Sequence, residues 1–303
     1  MKVFVTGASG FIGSHVTRAL VVRGHSVAVL VSSPKAPRRL RDIFGKIKKK
    51  PGKLADLKSL RKALAEFRPD ACIHLAWYAE PGKYLASPEN LSSLKTSLDL
   101  FNELIRVGCK QIVAAGTCAE YAPSPRPLKE NSPVGPATLY AASKLSCLLT
   151  GRQLAALGKI RFAWGRIFYP YGPQEDGRRL IPAALKALLV GRVFPATKGD
   201  QVRDYVHVED VAAAFCRMAE KRADGVFNVA FGEPVTIRRL LETLGRLTGR
   251  GDLIRFGAKP RASWEPPVLT GDNKKLKKLG WKPAYSLEKG LDQTVQRFKD
   301  HPW

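Results

Sequence analysis

Tyr140 and Lys144 stand four residues apart at the head of a helix-like stretch, so their side chains emerge one turn apart on the same face. Upstream, Thr117 follows a glycine at the end of an apolar run. A phenol, an ammonium and a hydroxyl could together exchange a proton with a reacting oxygen and stabilise charge on it. Hydride leaving or reaching a carbonyl carbon develops alkoxide charge, which a positioned phenol and hydroxyl neutralise. In isolation Tyr-x-x-x-Lys is a common surface pair, so it gains meaning only from what surrounds it.

The first such element is the run Gly7-Ala8-Ser9-Gly10-Phe11-Ile12-Gly13, which follows a short apolar strand at 2–6 and opens a helix. In that setting Gly7 permits the tight turn, Gly10 lets backbone approach a pyrophosphate, and Gly13 allows close helix packing. The loop is therefore expected to bind a dinucleotide, with Ser9, Phe11 and Ile12 in contact. A second strand ends Val31-Ser32-Ser33, followed by Lys35, Arg38 and Arg39. No carboxylate stands there to repel a 2′-phosphate, and cations lie nearby, which favours NADP(H) with NAD(H) as the other possibility.

Further apolar runs at 71–76, 112–116 and 162–167 alternate with helix-like stretches at 57–67, 91–107 and 140–157. This alternation predicts an α/β fold with a doubly wound parallel (Rossmann) sheet. Beyond Tyr169 prolines and glycines loosen the pattern, before a strand at 226–230 and a helix at 237–247. Residues 1–168 are read as the dinucleotide-binding domain, with 193–216 returning to it, and 169–303 mainly as a smaller, mixed substrate lobe, with the site in the cleft between them.

Composition bounds the rest. At 303 residues and 45% apolar content the chain can bury a full core. No apolar run approaches the roughly 18 residues of a membrane span, and no leader is read at the start, so a cytoplasmic protein is expected. Five widely spaced cysteines without Cys-x-x-Cys argue for a reducing compartment and against a zinc site, and no metal is expected. The formal charge of +25 favours polyanions. The basic runs at 46–53 and 274–278 hold no aromatic residue to stack on bases, so they read as solvated surface and a nucleic-acid role is not expected.

Together the loop, the strand-end Thr117 and the Tyr140-x-x-x-Lys144 pair resemble the short-chain dehydrogenase/reductase signature. Four more segments resemble its extended branch of nucleotide-sugar epimerases, dehydratases and 4-ketoreductases: Ala55-Asp56-Leu57, His74-Leu75-Ala76, Tyr171-Gly172-Pro173, and the run from Arg203 to Val211. The resemblance implies that Tyr140 exchanges the proton, that Lys144 lowers its pKa and binds the nicotinamide ribose, and that Thr117 hydrogen-bonds the reacting oxygen. It also implies that Ser32, Arg38, Asp56, Leu57, Leu75 and Ala76 line the cofactor. Arg203 and Arg261 would bind a substrate pyrophosphate, with Trp77, Cys118, Ala119, Glu120, Tyr169 and Arg179 on the pocket wall, while His207 and Asp210 are structural. Thr117-Cys118-Ala119 departs from the Thr-Asp-Glu run of dehydratases, and Ala119 from the cysteine of enzymes that epimerise C3 and C5. Glu120-Tyr121 looks more like simple 4-ketoreductases. The expected activity is NADPH-dependent reduction of a nucleoside-diphosphate 4-keto-6-deoxyhexose by a homodimer; the rivals are an NAD-dependent 4-epimerase and a nonenzymatic NADP(H) sensor.

Overall fold

The computed structural model describes residues 1–262 and 265–300. Strands β1 (Lys2–Thr6), β2 (Ser26–Val31), β3 (Lys48–Pro51), β4 (Ala71–His74), β5 (Gln111–Thr117) and β6 (Arg161–Ile167) join Gly225–Val229 in one sheet of seven. Its order is β3-β2-β1-β4-β5-β6 followed by Gly225–Val229, and each neighbouring pair is parallel. The inner strands are runs of small and β-branched apolar residues buried on both faces, as β4 and β5 are at every position.

Helices α1 (Phe11–Val22), α2 (Leu57–Phe67), α3 (Glu89–Arg106) and α4 (Leu139–Leu157) cover the sheet. One core packs α2, α3 and α4 against one face. On the other, α1 lies beside a later helix, Val208–Glu220, whose Val211, Phe215 and Met218 are fully buried. The segment that returns to the sheet thus runs from 208 to 229. Residues 193–207, expected to return with it, instead build short strands outside the sheet. Sheet order reverses between β1 and β4, so the crevice for a ligand opens beyond their carboxyl ends.

β3 is a strand that the composition hides. Lys48, Lys49 and Lys50 pair in register with Ala28, Val29 and Leu30 of β2. Lys48 lies over the Phe67 ring at 5.7 Å, Lys49 over Phe44 at 5.1 Å, and Lys50 meets Glu66 at 2.7 Å. A lysine-rich strand at a sheet edge resists adding a further strand, which favours such residues there over β-formers.

The smaller lobe has its own core from helices Leu180–Leu189, Ile237–Thr248 and Leu287–Asp300, with Leu185, Leu188, Leu240, Leu244, Leu291 and Val295 fully buried. Its small sheet is mixed: Val202–Arg203 pairs antiparallel with Val235–Thr236 and parallel with Val268–Leu269. Two buried carboxylates tie this lobe to the first. Asp204 accepts from the amides of Phe231, Gly232 and Gly271, and Asp210 from those of Ala284 and Tyr285 at 2.7 and 3.2 Å. Burial pushes each of these carboxyls up to about 6 against that hydrogen bonding. No helix among the described residues is long and apolar enough to cross a membrane.

Asp210→Ala leaves the Ala284 and Tyr285 amides without their acceptor. It should lower unfolding stability by about 2–4 kcal/mol, read from the midpoint of urea denaturation.

Candidate active site

The glycine loop forms where β1 meets β4. Gly7 has φ +70°, and a Cβ there would stand 2.7 Å from the Ala76 nitrogen. A Cβ on Gly13 would come within 2.0 Å of the Gly7 carbonyl oxygen, so only glycine allows α1 to start this close to β1. Gly10 caps α1 without a side-chain acceptor, and both Ser9 and Gly10 are exposed. The first amides of α1 therefore face outward as an anion seat, and a dinucleotide pyrophosphate fits it. Leu75 and Ala76, partly buried, follow β4 directly beside this turn, where the Leu75 and Ala76 amides meet the Thr6 backbone and hydroxyl.

Ser32 and Ser33 are exposed at the end of β2, and so is Arg38. Arg39 is committed elsewhere: its Nε and Nη2 donate to the Gln174 carbonyl at 3.1 and 2.8 Å. Asp56 is exposed and caps α2 by accepting from the Lys58 amide, just before Leu57.

Thr117 ends β5 and is 8% exposed. Thr138 caps α4 by accepting from the Ala141 amide, so Tyr140 and Lys144 fall on its first turns facing β5. The Tyr140 amide donates to the Leu85 carbonyl, and its half-buried ring meets Tyr84 edge-on at 4.8 Å. Burial raises the phenol's pKa above its ordinary value, and a hydrogen bond from Thr117 pulls it back. Lys144 donates to the Ala115 carbonyl at 2.8 Å, and burial lowers it to about 8. Thr117, Tyr140 and Lys144 thus converge at the carboxyl end of β5. His74 is buried between the Thr6 and Ser97 hydroxyls, and desolvation together with Lys144 pushes it down to about 3, so it is a neutral strut at neutral pH.

Glu120, expected on the pocket wall, packs inside the strand end instead. It is fully buried, accepting from Arg166 Nε at 2.7 Å, Trp164 Nε1 at 3.0 Å and the Thr117 amide at 2.8 Å. Thr-x-x-Glu here is a capping box, in which Thr117 and Glu120 satisfy each other's backbone. Burial holds the neighbouring Cys118 thiol up at about 12, which leaves it protonated, while Ala119 is half-buried.

Arg203 is fully buried rather than superficial. It donates to Glu265 at 2.6 Å and to the Val202 and Pro267 carbonyls, lies 5.4 Å over the Tyr169 ring, and its Nε has no partner among the described residues. Arg179 lies 5.1 Å over Tyr84. Arg261 is exposed in a groove of about 550 Å³ with Lys198, Asp200 and Lys259, whose lining includes none of Thr117, Tyr140 and Lys144. Trp77 is half-buried with its ring against Lys144. Two residues near the site carried no signal in the sequence: Tyr84, in a loop without periodicity, and Glu175, 9% exposed with one carboxyl oxygen unpartnered among the described residues. Among the described residues there is no cluster suited to a metal ion.

Desolvation raises the Glu175 carboxyl from 4.5 to about 8. Between those values the folded protein holds a proton that the unfolded chain has released, so stability falls as pH rises through that window. Glu175→Gln should leave stability unchanged near pH 4 and raise it by about 1–3 kcal/mol at pH 8, read by thermal denaturation across the range.

Along its length the chain is similar to proteins named UDP-glucose 4-epimerase. A UDP-glucose 4-epimerase of Mycolicibacterium smegmatis is 31% identical, with 99% of each chain covered. Among solved structures, UDP-glucose 4-epimerase of Thermotoga maritima with UDP-glucose superposes with a TM-score of 0.89 at 27% identity, covering 99% of both chains. The UDP-glucose 4-epimerase of Thermus thermophilus in complex with NAD gives 0.87 at 26% identity, covering 99% of this chain and 100% of that one. Residues 3–230 match the model of one family, and with the loop and trio described above they make this chain a member of the NAD dependent epimerase/dehydratase family.

Proposed function

We propose that the protein interconverts the C4 epimers of a nucleoside-diphosphate hexose. The observation that carries this reading is the convergence of Thr117, Tyr140 and Lys144 at the end of β5, one strand from the turn that joins Gly7 to Ala76. The choice of epimerisation over the reduction expected from sequence rests on two things. Relatives similar over their whole length are named UDP-glucose 4-epimerase. Glu120, which had pointed to a reductase, belongs to the packing of the strand end.

Residues 7–13 together with Ser32, Arg38, Asp56, Leu57, Leu75 and Ala76 would hold a nicotinamide dinucleotide, which when bound would supply the acceptor and donor of hydride. The chain's own residues handle charge and protons. Tyr140 takes the proton of the sugar 4-hydroxyl as C4 is oxidised and returns it when C4 is reduced on the opposite face. Thr117 donates a hydrogen bond to the same oxygen, and the Lys144 cation favours the phenolate form of Tyr140. Arg203, with its unpartnered Nε, and Arg179 beside Tyr84 are the cations assigned to the pyrophosphate, with Arg261 at the outer groove. Trp77, Cys118, Ala119 and Tyr169 are assigned to the pocket wall around them. We assign the oligomeric contact to the outer face of α3 and α4, where Leu91, Leu139, Leu149 and Leu157 are exposed; a dimer mass in sedimentation supports this and a monomer mass rejects it.

The reductase reading keeps one specific observation. The end of β2 carries Ser32 and Ser33 rather than a carboxylate, with Arg38 exposed nearby, which suits a 2′-phosphate. Purified protein incubated with UDP-glucose or UDP-galactose should interconvert them with no net change in reduced-cofactor absorbance. Tyr140→Phe should slow this by about 10²-fold or more. Stoichiometric NADPH oxidation by a nucleoside-diphosphate 4-keto-6-deoxyhexose, without interconversion, would replace epimerisation by reduction.

A further inference from the structure

Lys144 is 4% exposed, and no carboxylate lies within ion-pair distance of it among the described residues. Among the described residues its ammonium donates to the Ala115 carbonyl. The group that faces it is an aromatic ring: the nitrogen stands 3.8 Å from the centroid of Trp77, with Trp164 farther away at 5.9 Å. Trp77 is itself held in place. Its Nε1 donates to Asn90 Oδ1 at 2.8 Å, and the fully buried Asn90 donates in turn to the carbonyls of Tyr84 and Ser87. The indole is thus braced by the start of α3 and by the loop that packs on Tyr140.

We propose that Trp77 is a positioning residue whose ring face keeps the Lys144 ammonium cationic and in place beside Tyr140. This rests on reading Tyr140 and Lys144 as the proton-transfer pair. The physical case concerns what a countercharge would do. A carboxylate against Lys144 would stabilise the ammonium but cancel its field at the phenol a turn away. The negative face of an indole stabilises the cation and adds no net charge, so the field survives where it is used. The other groups around Lys144 are His74 on β4, which is neutral, Tyr140 on α4, Glu120 after β5, which is matched by Arg166, and Cys147 on α4, whose thiol burial holds up at about 11. Cys147 and Glu120 each raise the Lys144 pKa against its burial, and neither is within ion-pair distance. Burial brings Lys144 down to about 8, so a modest loss of stabilisation would discharge it in the working range.

The test compares the full chain, free of cofactor and substrate, as wild type, Trp77→Phe and Trp77→Leu. Competitive acetylation from about pH 6 to about pH 11, read by mass spectrometry of the Lys144 peptide, gives the midpoint of that lysine. The expected midpoint is near 8 in wild type, about one unit lower in Trp77→Leu, and intermediate in Trp77→Phe, where a weaker face remains. The alkaline limb of the epimerisation profile should move to lower pH in the same order, because the charged form is lost sooner as pH rises. Midpoints that coincide in all three folded proteins overturn the proposal and leave Trp77 as packing. Should the leucine variant not fold, Trp77→Phe decides alone: a midpoint about half a unit below wild type supports the proposal, and one equal or higher overturns it. Wild type without epimerase activity removes the functional reading only, because the labelling needs neither sugar nor dinucleotide.

Discussion

Glu120 holds a carboxyl group with no exposed surface at the carboxyl ends of β5 and β6, and taking such a charge out of water costs several kcal/mol unless hydrogen bonds meet it. Arg166, Trp164 and the Thr117 amide supply them. Much of the site's geometry follows. Arg166 is pinned over the Tyr121 ring, and the Tyr121 hydroxyl reaches Asn228 on the last strand of the sheet. Gly116 must be glycine, because a Cβ there would meet Trp164 Nε1 at 2.0 Å. Thr117, with its amide fixed and its hydroxyl accepting from Ala119, has little freedom left, so the oxygen beside Tyr140 is placed by packing rather than by substrate.

The molecule buries charge in three ways, and each suits a different task. Glu120 and Arg166 neutralise each other and fasten strands. Asp204 and Asp210 are met by backbone amides alone and fasten one lobe to the other. Lys144 has a carbonyl and an aromatic face but no countercharge. Of these groups it is Lys144 that stands one helical turn from a phenol, that of Tyr140.

Legibility in the sequence tracked how far each feature depends on local pattern. The inner strands and the glycine loop were readable because burial on both faces and backbone crowding restrict residue types directly. β3 was not, since Lys48 and Lys49 set their ammonium groups over Phe67 and Phe44 and Lys50 pairs with Glu66, where composition alone says solvent. Thr117, Tyr140 and Lys144 could be named from spacing and resemblance, whereas the partners of Arg203 and Arg39 could not. Their positions depend on residues 62 and 135 places away. Glu120 misled for a more general reason: Thr-x-x-Glu has the same letters whether the acid caps a turn or faces a sugar.

The trio cannot distinguish epimerisation from reduction, since both need the same phenol, hydroxyl and cation. The difference lies in whether the cofactor leaves between turnovers, and that is a property of the walls. Here the loop at 173–176 of the second lobe is fastened to the cofactor side at two points: the Pro173 carbonyl meets His15 Nε2 on α1 at 3.2 Å, and the Gln174 carbonyl receives both donors of Arg39. Burial lowers the His15 pKa and favours the neutral ring, so its bond to Pro173 does not depend on gaining a proton. These contacts join the loop to α1 and to the turn after β2, the two elements that flank the proposed cofactor seat. An epimerase, which returns hydride to the same sugar, needs no cofactor release between turnovers, whereas a reductase needs one at every cycle. Retention of the dinucleotide is thus what the proposed epimerase requires, while the end of β2, chemically open to a 2′-phosphate, is the feature that a reductase would use.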